Sequence, residues 1–106
     1  MADVLINVPN TAKKGSIIEL KVLISHPMES GQRRDNVGQL VPRDIIREFV
    51  CTWNGAEVFR ADLFPAIAAN PFLSFFALAE ESGTIVMSWT DDHGKVESES
   101  VPITVA

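Results

Sequence analysis

"LFPAIAANPFLSFFALA", Leu63 to Ala79, runs for seventeen residues without a charge, whereas the rest of the chain carries charge every few positions. Its second half, "FLSFFALA" (Phe72 to Ala79), has the length of a strand, and a strand sends alternate side chains to opposite faces. One face would carry Phe72, Ser74, Phe76 and Leu78; the other would carry Leu73, Phe75, Ala77 and Ala79. Both are apolar, although a sandwich strand is expected to be apolar on one face and polar on the other. A membrane span needs about 20 continuous apolar residues. This stretch is shorter, and Pro65, Asn70 and Pro71 interrupt it, so no membrane insertion is expected.

The segments on either side read as strands. "VLINV" (Val4 to Val8) ends at Pro9. In "IIELKVLIS" (Ile17 to Ser25), Ile18, Leu20, Val22 and Ile24 share one face and Glu19 and Lys21 lie on the other. "IIREFVCTW" (Ile45 to Trp53) groups Phe49, Cys51 and Trp53 opposite Glu48 and Thr52. Asn54-Gly55 follows at once and favours a type I′ turn, because both residues tolerate positive φ. Ala56 to Asp62 is then the returning strand. "TIVMSWT" (Thr84 to Thr90) turns Ile85, Met87 and Trp89 inward, "DDHGK" (Asp91 to Lys95) is a turn, and "VESESVPITV" closes the chain with Pro102 at an edge or bulge. Seven such strands with no convincing amphipathic helix predict an all-β chain. The expected fold is one immunoglobulin-like β-sandwich domain of Greek-key type over residues 1–106.

Composition narrows the function. A net charge of -5 and a pI near 4.9 argue against nucleic acid, which needs a basic footprint, and against an anionic membrane surface. Cys51 is the single cysteine, so no internal disulfide can frame the fold. "MADVLINVPNTAKKG" lacks the positive start and the cleavage site of a signal peptide, which by itself suggests the cytoplasm.

Catalytic chemistry finds little support. A metal site wants three or four converging ligands; His26 precedes a proline at a strand end, and Asp91, Asp92 and His93 are adjacent in a turn, so no metal is expected. Cys51, on the face of Phe49 and Trp53, is read as a small buried hydrophobe, with an intermolecular disulfide as the alternative. There is no phosphate loop, GxSxG or CxxC motif, and no cofactor is expected.

Two features call for a partner. "HPMESGQRRDNVGQLVPRD" (His26 to Asp44) joins two strands through nineteen residues. Connections beyond about 12–15 residues are uncommon in compact domains. Its Arg33-Arg34-Asp35 run is either a solvated loop with a local ion pair or a site for anion or partner docking through Arg33 and Arg34. The second feature is the double-faced strand. Either the preceding loop or an irregular strand covers its second face, or a partner protein does. The pattern favours an interface built from Leu63, Phe64, Ile67, Leu73 and Phe75.

"HPMESGQRRD", "LVPRDIIREFVCTWNG", "FRADLFPAIAANPFLSFFA" and "SGTIVMSWTDDHG" together resemble the SoxZ family over essentially the whole chain. These are the Z subunits of the thiosulfate-oxidation carrier SoxYZ. The resemblance implies an immunoglobulin-like, non-catalytic subunit that forms a tight heterodimer with SoxY. The SoxY swinging arm, Gly-Gly-Cys-Gly-Gly, carries covalently bound sulfur intermediates and visits the other periplasmic Sox enzymes, which touch the complex transiently. This chain ends in "VPITVA" and has no such arm, so Cys51 is not given the carrier role. The resemblance also implies periplasmic localisation by co-export with a signal-bearing partner. Two other readings stay open: a homodimeric β-sandwich interaction module without SoxY, and an enzyme using His26 or His93 with an aspartate.

Overall fold

The structure is a computed structural model that describes residues 4–106. It holds eight strands: β1 (Val4–Asn7), β2 (Thr11–Ala12), β3 (Ile17–Ile24), β4 (Ile46–Trp53), β5 (Ala56–Asp62), β6 (Phe72–Leu78), β7 (Gly83–Asp91) and β8 (Val96–Val105). They form two sheets, one ordered β1-β3-β6 and the other β2-β8-β7-β4-β5. The sheets face each other across one buried cluster, giving the expected all-β, immunoglobulin-like sandwich.

The alternation read from the sequence is the packing. Ile18, Leu20, Val22 and Ile24 of β3 face Phe49, Cys51 and Trp53 of β4 and Ile85, Met87 and Trp89 of β7 across the core. Both tryptophans keep their polar edge satisfied as they bury their rings. Trp53 Nε1 donates to the Glu81 carbonyl at 2.9 Å, and Trp89 Nε1 donates to Glu97 Oε2 at 3.3 Å.

Local turn chemistry sets the strand ends. Asn54 and Gly55 join β4 to β5 with φ of 52° and 84°, the two positive values a type I′ turn demands. A bulge between Ile46 and Glu48 changes the facing of β4. It lets Ile46 and Phe49 both reach the core with two residues between them. Pro102 pairs with Thr84 of β7, while β2 covers the other edge of β8 only at Thr104 and Val105, so the proline sits where no second ladder asks for its missing N–H. The strand absent from the sequence reading is β2. Two residues long and paired in parallel with the chain's last residues, it has no periodicity to detect.

Candidate functional site

The register between β3 and β6 decides which face of the uncharged strand is free. Leu20 stands opposite Phe75, Val22 opposite Leu73 and Ile18 opposite Ala77. Directly opposed residues of an antiparallel pair share a face. Since β3 buries its isoleucine-leucine-valine set, Leu73, Phe75 and Ala77 must point inward with it. Phe75 is buried with its ring edge-on to Phe49 at 5.9 Å, Leu63 is also in the core, and Leu73 is half-buried against it. This corrects the expected interface: Phe75 and Leu63 are occupied by the chain's own core, and Leu73 is partly so. Phe64 and Ile67 remain exposed on the approach to β6. Sequence alone could not choose between two faces that are both apolar.

The bare face is the other one. Phe72, Phe76 and Leu78 are 58%, 65% and 48% exposed. Across the sheet, Leu5 aligns with Leu23 and Leu23 with Phe72, making one apolar row. Ile17 beside Leu78, together with Phe76, makes a second apolar group. A polar row of Asn7, Lys21 and Ser74 separates them. Glu19, opposite Phe76, joins this polar row by accepting a 2.7 Å hydrogen bond from the Ser74 hydroxyl. At about 180 Å² per large apolar side chain, the exposed parts of these six residues amount to on the order of 600 Å². The polar row divides this into two groups of about 300 Å² each, each already at the low end of the largest patch usual on a monomer, about 300–600 Å².

The long connection is folded. Glu29 and Asp44 bond each other's backbone at 2.8 Å, Arg34 pairs with Leu40, and the Val41 N–H donates to the Arg33 carbonyl, so residues 29–44 double back as an arm closed by isolated bridges. Asp35 Oδ1 accepts the N–H groups of Val37 and Gln39 at 3.0 Å and shapes its tip. The three arginines differ. Arg33 is bound to Glu29 through Nε at 3.1 Å and Nη2 at 2.7 Å, and its hydrogen bonds hold the Glu29 carboxyl below the ordinary carboxylate range. Arg43 forms a two-point pair with Asp92 at 2.7 and 2.8 Å. That pair, with the Ile45 N–H, brings Asp92 down to about 2. Arg34 donates to the Gly38 carbonyl at 2.7 Å and meets no carboxylate among the described residues.

At the root of the arm His26, Asp44 and Asp91 converge, one polar atom of each within 4.8 Å of the others. The sequence did not bring these together, because Asp44 and Asp91 reach His26 only through folding. His26 Nδ1 accepts the Met28 N–H at 3.0 Å, which puts the ring proton of the neutral form on Nε2. A metal at Nε2 would need that proton on Nδ1, against the Met28 donor, so this donor set does not suit a metal ion. Nε2 instead faces Asp44 Oδ1 at 3.8 Å, and His93 Nε2 stands 3.6 Å from the same oxygen, which is buried and accepts no hydrogen bond. His93 itself belongs to turn chemistry, its N–H donating to Asp91 Oδ1 at 2.9 Å. Cys51 lies in the core, and burial pushes its thiol up to about 11.

With this geometry established, comparison with known proteins gives three results. The sequence pattern of a family described as "Sulphur oxidation protein SoxZ" matches residues 6–102. No curated protein matches the sequence. Among solved structures, the fold is similar to a superoxide reductase (neelaredoxin) from Ignicoccus hospitalis, with a TM-score of 0.75 and 16% identity over 97% of this chain and 80% of that one. It is similar to the sulfur carrier protein SoxY from Chlorobium limicola, with a TM-score of 0.67 and 15% identity over 97% of this chain and 78% of that one. It is also similar to a CARDB domain from Pyrococcus furiosus, with a TM-score of 0.54 and 13% identity over 97% and 94%. At these identities the likeness is one of fold.

Proposed function

The chain belongs to the SoxZ family of sulphur oxidation proteins, and from that premise we propose that it is the non-catalytic subunit of a SoxYZ heterodimer. In this role it binds SoxY in the periplasm, where the pair arrives by co-export. It helps present the SoxY arm, with its covalently bound sulfur, to the Sox enzymes. The observation that carries the proposal is the bare outer face of β1, β3 and β6. A standard interface hides about 800 Å² on each partner, and the apolar groups of this face supply most of that area. Burying each large side chain contributes roughly 1.5–3 kcal/mol before the cost of association. Cys51 supports the companion role, because a thiol sealed in the core cannot carry a sulfur adduct to other enzymes.

The test is co-expression with untagged SoxY. Tagged wild-type chain should retain SoxY through purification, and Phe72→Glu with Phe76→Glu should release it while leaving the sandwich folded by circular dichroism. Retention of SoxY by the double variant would move the interface elsewhere. A stable homodimer in sedimentation, with no SoxY bound, would favour the homodimeric module instead.

A further inference from the structure

We infer that the outer face of β1, β3 and β6 is self-complementary, and that a second copy of this chain occupies it when SoxY is absent. Down β3 the outward residues run Leu23, Lys21, Glu19 and Ile17. Their order is apolar, positive, negative, apolar. Consider a twofold axis lying in the plane of a face-to-face contact and crossing β3 between Glu19 and Lys21. It reverses the strand direction in the second copy. Lys21 then meets the other copy's Glu19, and Glu19 meets its Lys21, so two opposite-charge pairs form at once. The same rotation lays Leu23 over Ile17 and, on β6, Phe72 over Leu78. Both apolar groups are covered by apolar groups, and the charged residues between them fall on opposite charges. An axis parallel to the strands would instead set Lys21 on Lys21 and Glu19 on Glu19, which like-charge repulsion disfavours. A twofold contact uses one patch on both copies, and face-to-face sheets keep their strands within about 30° of each other.

The single chain already holds these groups in a suitable state. Lys21 Nζ lies 3.6 Å from Glu19 Oε1, a loose contact with the side chains 43% and 41% exposed. An ammonium has three donors, so Lys21 can keep this contact and bond a second carboxylate. Ser74 donates to Glu19 Oε2 at 2.7 Å and so meets the second copy's Phe76 with its hydroxyl satisfied. The outward residues of the three strands include one lysine and one glutamate, so the face is neutral although the chain carries -5. Two acidic chains therefore meet no concentrated repulsion there. Two apolar groups of about 300 Å² each, with the polar row between them, approach the ~800 Å² that a standard interface hides on each partner. Self-pairing and the proposed SoxY contact use the same face and exclude each other, an exchange that rests on the SoxY reading. The self-paired form keeps Phe72 and Phe76 out of water until SoxY arrives.

The experiment is sedimentation velocity of the purified chain without SoxY, from about 1 to about 100 µM. The expected result is a monomer–dimer equilibrium with a dissociation constant of about 10 µM or tighter. Lys21→Glu and Glu19→Lys should each weaken the dimer at least about tenfold, because each sets like charges opposite one another. Mixing the two single variants, or combining both changes in one chain, should restore it. Both positions are on the surface, and circular dichroism checks that each variant keeps the sandwich. A monomer at about 100 µM, a dimer indifferent to both single changes, or no restoration overturns the inference. Adding SoxY to the wild-type dimer should convert it to a one-to-one heterodimer. SoxY bound to an intact dimer would sink the proposed SoxY interface without touching the self-pairing, which is measured in its absence.

Discussion

Phe59 of β5 and Phe75 of β6 stack with ring centroids 4.2 Å apart and planes 5° from parallel, so one aromatic pair joins the edge strands of the two sheets. Phe49 packs against both rings, at 6.2 and 5.9 Å. Phe75→Ala removes the central member and leaves a cavity, and should destabilise the isolated chain by about 3–5 kcal/mol. Phe76→Ala, one residue on but facing solvent, should change stability by less than about 0.5 kcal/mol. Chemical denaturation of the two variants checks the pair. Equal losses would mean that the facing of β6 is wrong.

That contrast marks where the sequence stopped being legible. Strands β3, β4 and β7 alternate apolar with polar residues, so period-two reading assigned their core faces correctly. In β6 the period carries no contrast, and only pairing with β3 orients it. The Asn54-Gly55 hairpin was legible because its backbone demands those residue types. The His26–Asp44–Asp91 convergence was not, since its members come from separate segments that no spacing rule links. The arm between Glu29 and Asp44 read as a loop because its two sides are short and do not alternate, and its order comes from a few backbone bonds and the side-chain bonds of Asp35 and Arg34.

Asn54 also braces β7. Its Nδ2 donates to the Ser82 carbonyl at 3.0 Å and its Oδ1 accepts the Thr84 N–H at 2.9 Å. The side chain passes directly over Gly83, where an added Cβ would fall 1.7 Å from Asn54 Oδ1. Gly83→Ala must therefore expel the amide and break both bonds. The expected loss is about 1–3 kcal/mol by thermal or urea unfolding. Combining it with Asn54→Gly should recover part of the loss, since that change removes the clash yet keeps positive φ accessible. No recovery would show that Gly83 matters for another reason.

The Cys51 thiol should be silent in the native protein. Burial holds it up to about 11, above the usual thiol value near 8.5, so native protein should not react with a thiol reagent at pH 8. One equivalent should react after unfolding. Linkage has a definite sign: the folded state keeps the proton where the unfolded chain has lost it. Stability attributable to Cys51 is thus complete below about 8.5 and declines as pH rises toward about 11. Cys51→Ala should flatten that alkaline decline. Rapid labelling of the folded chain would contradict the buried placement.

Asp92 gives the opposite limb. Its carboxyl is held down to about 2, first by the hydrogen bond from Arg43, so the folded state favours the ionised form. The resulting stability is present above the ordinary carboxylate value near 3.9 and is lost as pH falls through about 2. Because Asp92 also accepts the Ile45 N–H at 3.1 Å and donates its own backbone N–H to the Ile45 carbonyl at 2.9 Å, its protonation loosens the root of the arm. Hydrogen exchange at the Glu29 and Asp44 amides, which bond across that root, should accelerate relative to the β4–β7 amides as pH drops from about 4 toward 2, after correction for the intrinsic exchange rate. Arg43→Gln, which removes the charge but keeps a donor, should move the onset to higher pH, toward the ordinary carboxylate value. An onset unchanged by Arg43→Gln would show that the guanidinium does not set the ionisation of Asp92.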